Sequence, residues 1–164
     1  MRKKNDPLIF IVEDNPVYNK LVVSYLHSKK FNRVESFLSG EECLKRIHEK
    51  PDIIIQDYLL EGIDGLEVMM TTKKINPHIE FIILSGQDSI EVAINTLKYG
   101  AYDYIVKDQM ALSKMVDKIL KIIALQELIR NNKRFKYGIL LFFGALVAIL
   151  LVIKLMSVMF PQSV

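Results

Sequence analysis

The chain holds a single cysteine, Cys43, so no disulfide can close within it. Cys43 falls in a helical pattern and reads as core packing. Acidic residues are missing from the last part of the chain: none follows Glu127. Up to residue 129 there are 17 basic against 19 acidic side chains, a net charge of −2. From 130 to 164 there are five basic side chains and no acid, a net charge of +5. That is a mildly acidic body with a basic junction, not the basic surface that nucleic acid requires. The basic start, MRKKND, is followed only by the short apolar run Leu8–Val12 before Glu13, so no signal-peptide core is expected. There is no internal repeat and no low-complexity segment. Nor is there a zinc-ligand pattern or a helix-turn-helix pattern.

What is present is strand and helix in alternation. Strands are expected at 8–12, 33–37, 52–57, 80–85 and 103–106; those at 8–12, 52–57 and 80–85 are apolar runs, and the one at 33–37 is read from its alternation. Between them lie helices. The first is capped by Asn15-Pro16 and runs to Lys29, with Leu21, Val22, Tyr25 and Leu26 facing inward. The second covers 40–49. The third covers 65–75 and stops at Asn76-Pro77. The fourth is capped by Ser89 and ends at Gly100, with Val92, Ala93 and Leu97 inward. The last starts at Ser113. Continuous apolar strands between helices predict a doubly wound five-stranded parallel sheet covered on both faces. Ligands of such sheets bind at the carboxyl ends of the strands.

Those ends carry the chemistry. The stretch IIIQDYLLEG runs three isoleucines into Asp57, a charge that needs solvent, a partner or a metal. The first strand ends in Glu13-Asp14, the fourth in Ser85, and Lys107 follows the fifth, which contains Tyr104. Carboxylates brought together there repel by about 4 kcal/mol per pair at 4 Å. A hard divalent cation with oxygen ligands relieves that, and Mg²⁺ is the usual one in phosphate chemistry. A lysine and a hydroxyl suit phosphoryl oxygens, and an aspartate can itself form an aspartyl phosphate.

Residues 7–124 resemble the receiver domain of bacterial two-component response regulators, in a flavodoxin-like order 2-1-3-4-5. The resemblance rests on VEDN (12–15), Asp57 within IIIQDYLLEGIDGLEV, ILSG (83–86) and GAYDYIVKD (100–108). It implies that Asp57 accepts a phosphoryl group from a histidine of a sensor kinase or phosphotransfer protein. It also implies that Glu13, Asp14, Asp57 and the backbone carbonyl of Leu59 hold Mg²⁺. Lys107 would then pair with the phosphoryl oxygens, Ser85 would turn to bond them, and Tyr104 would follow Ser85. The face around the fourth helix, fifth strand and fifth helix would change its partners. No external substrate would be turned over. Two departures stand out: Leu60-Glu61 replaces the family's Met-Pro, and Asp108 replaces the proline after the lysine. The Lys107–Asp108 bond is therefore either trans or a strained cis bond. A pseudo-receiver that docks partners without phosphorylation is the competing reading. An aspartyl hydrolase is set aside because Leu59 stands where a second aspartate is needed.

The remainder reads as an anchor in place of an output domain. Gly138–Ile153 carries no polar side chain. At 1.5 Å per residue it extends about 24 Å, against a hydrocarbon core of about 30 Å. Its Leu, Ile, Phe and Val favour insertion by about 6 kcal/mol, against about 3 for Lys154. The expected domains are a receiver over 1–124, a basic juxtamembrane helix over 125–136, a transmembrane helix over 137–160 and a tail over 161–164. Arg130, Lys133, Arg134 and Lys136 place the body in the cytoplasm, on a single-pass inner-membrane protein. Gly144 and Ala148 would let two spans pack as a homodimer.

Overall fold

Asn15 starts the first helix by local chemistry: its side chain accepts hydrogen bonds from the amides of Val17 and Tyr18, with Pro16 in the first turn. The computed structural model describes residues 6–159, without the side chains of 131, 133–136, 138, 140, 148 and 153–159. The elements are β1 (Ile9–Val12), α1 (Pro16–Ser28), β2 (Val34–Phe37), α2 (Gly40–Arg46) with a 3-10 turn Ile47–Glu49, and β3 (Ile53–Asp57). Then come α3 (Gly65–Ile75), β4 (Glu80–Ser85), α4 (Ile90–Lys98), β5 (Asp103–Val106) and α5 (Ala111–Met159). All strand pairs are parallel, in the order β2-β1-β3-β4-β5. This is the doubly wound sheet that the alternation predicts.

Strand residues alternate between two cores. Ile9, Ile11, Ile53, Ile55, Ile82 and Leu84 join Val22 and Leu26 of α1 and Met115 and Ile119 of α5. Phe10, Val12, Ile54, Phe81 and Ile83 face the other way, against Cys43 of α2 and Met69 of α3. The three inner strands β1, β3 and β4 are therefore dry on both faces, which is why they read as apolar runs, while the edge strands β2 and β5 are only partly buried.

Two inward assignments change. Leu21 is exposed: the α1 contact is made by the buried Val22 and Leu26, with Tyr18, Val23 and Tyr25 packed at its sides. On α4, Leu97 is exposed and Thr96 is buried in its place. Thr96 stands four residues after Val92 on one helical face, and its hydroxyl donates to the carbonyl of Ala93, so burial leaves no orphan.

The chain divides into two compact units, one through Ile123 and one from Ala124. In the second unit the described apolar side chains are exposed, Leu141 by 74% and Phe142 by 66%. The transmembrane helix expected over 137–160 is not recovered: among the described residues, no helix is long and apolar enough to cross a membrane. Part of that span lies outside the described residues. These are residue 160 itself and the side chains of 138, 140, 148 and 153–159. The Gly144–Ala148 pair loses its second member for the same reason, and so does most of the basic cluster, at 133, 134 and 136.

Candidate functional site

The strand register brings the expected residues to one edge. Val12 lies beside Gln56, Asp57 beside Leu84, and Ser85 beside Val106. Glu13 and Lys107, each one residue beyond its strand, come level with Asp57. Ligand oxygens of Glu13, Asp14 and Asp57 all lie within 4.8 Å of one another. Glu13 and Asp57 are buried and Asp14 is half-buried. Lys107 reaches two of them, with Nζ 2.5 Å from Asp57 Oδ2 and 2.8 Å from Glu13 Oε2. It is only 17% exposed.

The charges shape one another. Burial raises the Glu13 carboxyl pKa, and the hydrogen bond from Lys107 only partly opposes that. Burial would lower Lys107, but its bonds to Asp57 and Glu13 outweigh this and hold the ammonium above its usual value. Lys107 stays charged and gives the acids their balancing cation. Three carboxylates with oxygen donors only, gathered this closely, fit a hard divalent cation such as Mg²⁺.

The loops are held to match. Leu59 donates its amide to Asp57 Oδ1 at 3.2 Å, which folds the segment back over the acid. The amide of Glu61 bonds Asp14 Oδ2 at 3.1 Å. Ile63 donates to Glu41 Oε1 at 3.0 Å, and Gly62 between them sits at φ +86°. The amides of Glu61 and Ile63 thus tie this loop to carboxylates, without the proline of the family pattern. Asp108 also settles: no peptide bond among the described residues is cis, so Lys107–Asp108 is trans. The amide of Lys107 donates to the carbonyl of Ser85 at 2.7 Å. Asp108 Oδ1 accepts from the amide of Met110 at 2.8 Å, opening α5.

Ser85 and Tyr104 converge on one residue that sequence reading missed. Ser85 Oγ accepts from the amide of Gln87 at 3.0 Å, and the Tyr104 hydroxyl donates to the carbonyl of Gln87 at 2.7 Å. Asn19 and Tyr18 were also missed. Asn19, buried on α1, donates to the carbonyls of Glu13 (3.2 Å) and Phe37 (3.1 Å), tying the ends of β1 and β2. Tyr18 lies under Lys107, with Nζ 4.6 Å from the ring centroid. Only the polar type of Asn19, on the helical face that carries Val22 and Leu26, signals its task in the sequence.

Comparison with known proteins agrees with this geometry. The putative NtrX-like response regulator of Rickettsia typhi is 40% identical over 102 residues, 60% of this chain and 21% of that protein. The nitrogen assimilation regulatory protein NtrX of Azorhizobium caulinodans is 28% identical over 130 residues, 77% of this chain and 29% of its own length. The chain thus spans well under half of these relatives. A CheY-like receiver domain protein from Methanospirillum hungatei superposes with a TM-score of 0.66 at 25% identity, covering 73% of this chain and 94% of that one. NtrX from Brucella abortus gives 0.68 at 26% identity, over 77% and 29% respectively. Residues 9–129 match the response regulator receiver domain, and the chain belongs to that family.

Proposed function

We propose that this chain is a phosphorylatable receiver, with Asp57 as the acceptor. The observation that carries this reading is Lys107 gripping Asp57 and Glu13 beside a third carboxylate. A carboxylate oxygen of Asp57 attacks the phosphorus of a phosphohistidine on a sensor kinase or phosphotransfer protein. The new O–P bond forms as the P–N bond breaks, and the imidazole leaves with the electron pair and takes up a proton from water. When bound among Glu13, Asp14, Asp57 and the Leu59 carbonyl, Mg²⁺ supplies positive charge facing the phosphoryl oxygens. Lys107 passes from Asp57 to those oxygens as a charge-assisted donor. Ser85 turns its hydroxyl to the phosphoryl group and gives up the amide of Gln87, and Tyr104 follows because it holds the same residue. The charge added at Asp57 is thereby read at α4, β5 and α5 as a change in protein contacts. The chain turns over no external substrate.

The test is to incubate the full chain with Mg²⁺ and acetyl phosphate and measure its intact mass. A gain of about 80 Da, absent in Asp57→Asn, is expected. An unchanged mass would leave the pseudo-receiver scaffold as the better reading.

We further propose that the second unit tethers the receiver to the cytoplasmic face of a membrane. The support is the sixteen-residue stretch without a polar side chain, the exposed Leu141, Phe142 and Phe143, and the absence of acids after Glu127. The tether raises the receiver's effective concentration near membrane partners. Fractionation checks it: the chain should sediment with membranes through high salt and dissolve only in detergent. Recovery in the high-speed supernatant would overturn the tether and leave the receiver reading intact.

A further inference from the structure

We propose that Tyr18 is a positioning residue for Lys107, holding the ammonium over the acidic cluster by its ring face. The proposal rests on the phosphoacceptor reading above and extends it to a residue outside the acid-lysine-hydroxyl set. Lysine is a point charge on a flexible four-carbon stem, and fixing it costs rotamer entropy. Lys107 must cross from the end of β5 to acids on β3 and after β1. Its backbone is held by Ser85, but beyond Cα its described polar partners are the two carboxylates. Those partners change when one becomes a phosphoryl ester. The ring does not change. It lies 4.6 Å from Nζ, within the distance at which an aromatic face attracts a cation. Tyr18 is itself fixed, half-buried on the first turn of α1, with its amide bonded to the capping Asn15 at 3.1 Å. The Asn15-Pro16 start thus sets the ring, and the ring limits how far Lys107 can swing when it changes partners.

The test separates a ring face from mere bulk, using Tyr18→Phe and Tyr18→Leu in the full chain. In nuclear magnetic resonance spectra the ε-methylene protons of Lys107 should show a ring-current shift in the parent and in Tyr18→Phe, and lose it in Tyr18→Leu. With acetyl phosphate and Mg²⁺, Tyr18→Leu should slow formation of the Asp57 adduct by about three- to tenfold at saturating phosphodonor, while Tyr18→Phe stays within about twofold. The phosphodonor concentration for half-maximal rate should not move, because the ring acts on Lys107 and not on donor binding. Equal rates in Tyr18→Leu and the parent would overturn the proposal. So would a Tyr18→Phe variant as slow as Tyr18→Leu. If the parent forms no Asp57-dependent adduct, the phosphoacceptor reading fails, and the ring-current pattern alone decides the holding contact. Its presence in the parent and Tyr18→Phe, with loss in Tyr18→Leu, supports the contact; its absence from the parent overturns it.

Discussion

Ile53–Ile55 and Ile149–Val152 are runs of the same kind of residue, yet the first is wholly buried and the second is more than half exposed. Composition does not separate them. The first run lies in a strand with neighbours on both edges and helices on both faces. The second lies in the unit from Ala124, where the described apolar side chains have no cover. An apolar run contributes stability only where other atoms replace water. Truncation therefore separates the two regions most strongly. Ile54→Ala should destabilise the receiver by about 2–4 kcal/mol in chemical denaturation, through lost transfer energy and a cavity. Leu150→Ala, 58% exposed, should stay within about 0.5 kcal/mol. Equal losses would mean that the second run is covered in solution.

Two glycines sharpen the same contrast. A Cβ on Gly65 would meet the backbone carbonyl oxygens of Asp57 (2.5 Å) and Tyr58 (2.9 Å), which cannot swing aside as a side chain can, and Nε2 of the buried Gln56 (2.9 Å). Gln56 also donates its amide to the carbonyl of Gly65, so α3 begins pressed against the end of β3. A Cβ on Gly144 would meet nothing within 4 Å. Gly65→Ala should cost about 2–3 kcal/mol in the same denaturation and slow phosphorylation, because the backbone that must yield belongs to Asp57. Gly144→Ala should be neutral, or stabilise its helix by up to about 1 kcal/mol.

Cys43 tests the inner region by pH. Burial pushes its thiol up to about 12, from an ordinary 9.0. The folded value lies above the unfolded one, so the associated stability is whole below about pH 9 and drains away as pH rises toward 12. At pH 10.5 wild type should have lost about 2 kcal/mol that Cys43→Ala does not lose, measured as the difference between their denaturation curves. A native chain at neutral pH should resist alkylation and react once unfolded.

Much of this was legible in the residues, and the limits have physical causes. The sheet could be read because its inner strands β1, β3 and β4 are dry on both faces, so their apolar runs are long and polar residues stand out where they end. Glu13, Asp14, Asp57, Ser85 and Lys107 announce themselves as charge or hydroxyl at those breaks. Asn19, Tyr18 and Gln87 do not, because each acts on something periodicity cannot show: two carbonyl oxygens, an ammonium 89 positions away in sequence, and a backbone shared by two side chains. Thr96 was passed over for Leu97 because hydropathy ranks the side chain, while burial follows the helical face once the hydroxyl is satisfied locally. The trans bond at Asp108 was open from sequence, since its aim depends on Ser85 and Met110 rather than on the dipeptide itself.

The smallest expected effect concerns two cations in matching company. Arg46 stands between Glu35 and Glu49 as Lys107 stands between Asp57 and Glu13. Arg46 is largely exposed, however, and water and salt do most of what its partners do. Arg46→Met should leave the melting temperature within error and phosphorylation unchanged. Lys107→Met should leave two buried carboxylates unbalanced, lower stability at neutral pH and slow the adduct, since each acid keeps its desolvation cost and loses its counter-charge. Acidification should restore part of the Lys107→Met stability, because burial already raises the Glu13 pKa and loss of the ammonium raises it further, so protonation relieves the strain. If Arg46→Met were as damaging, the contrast would lie in the pairing of charges and not in their removal from water.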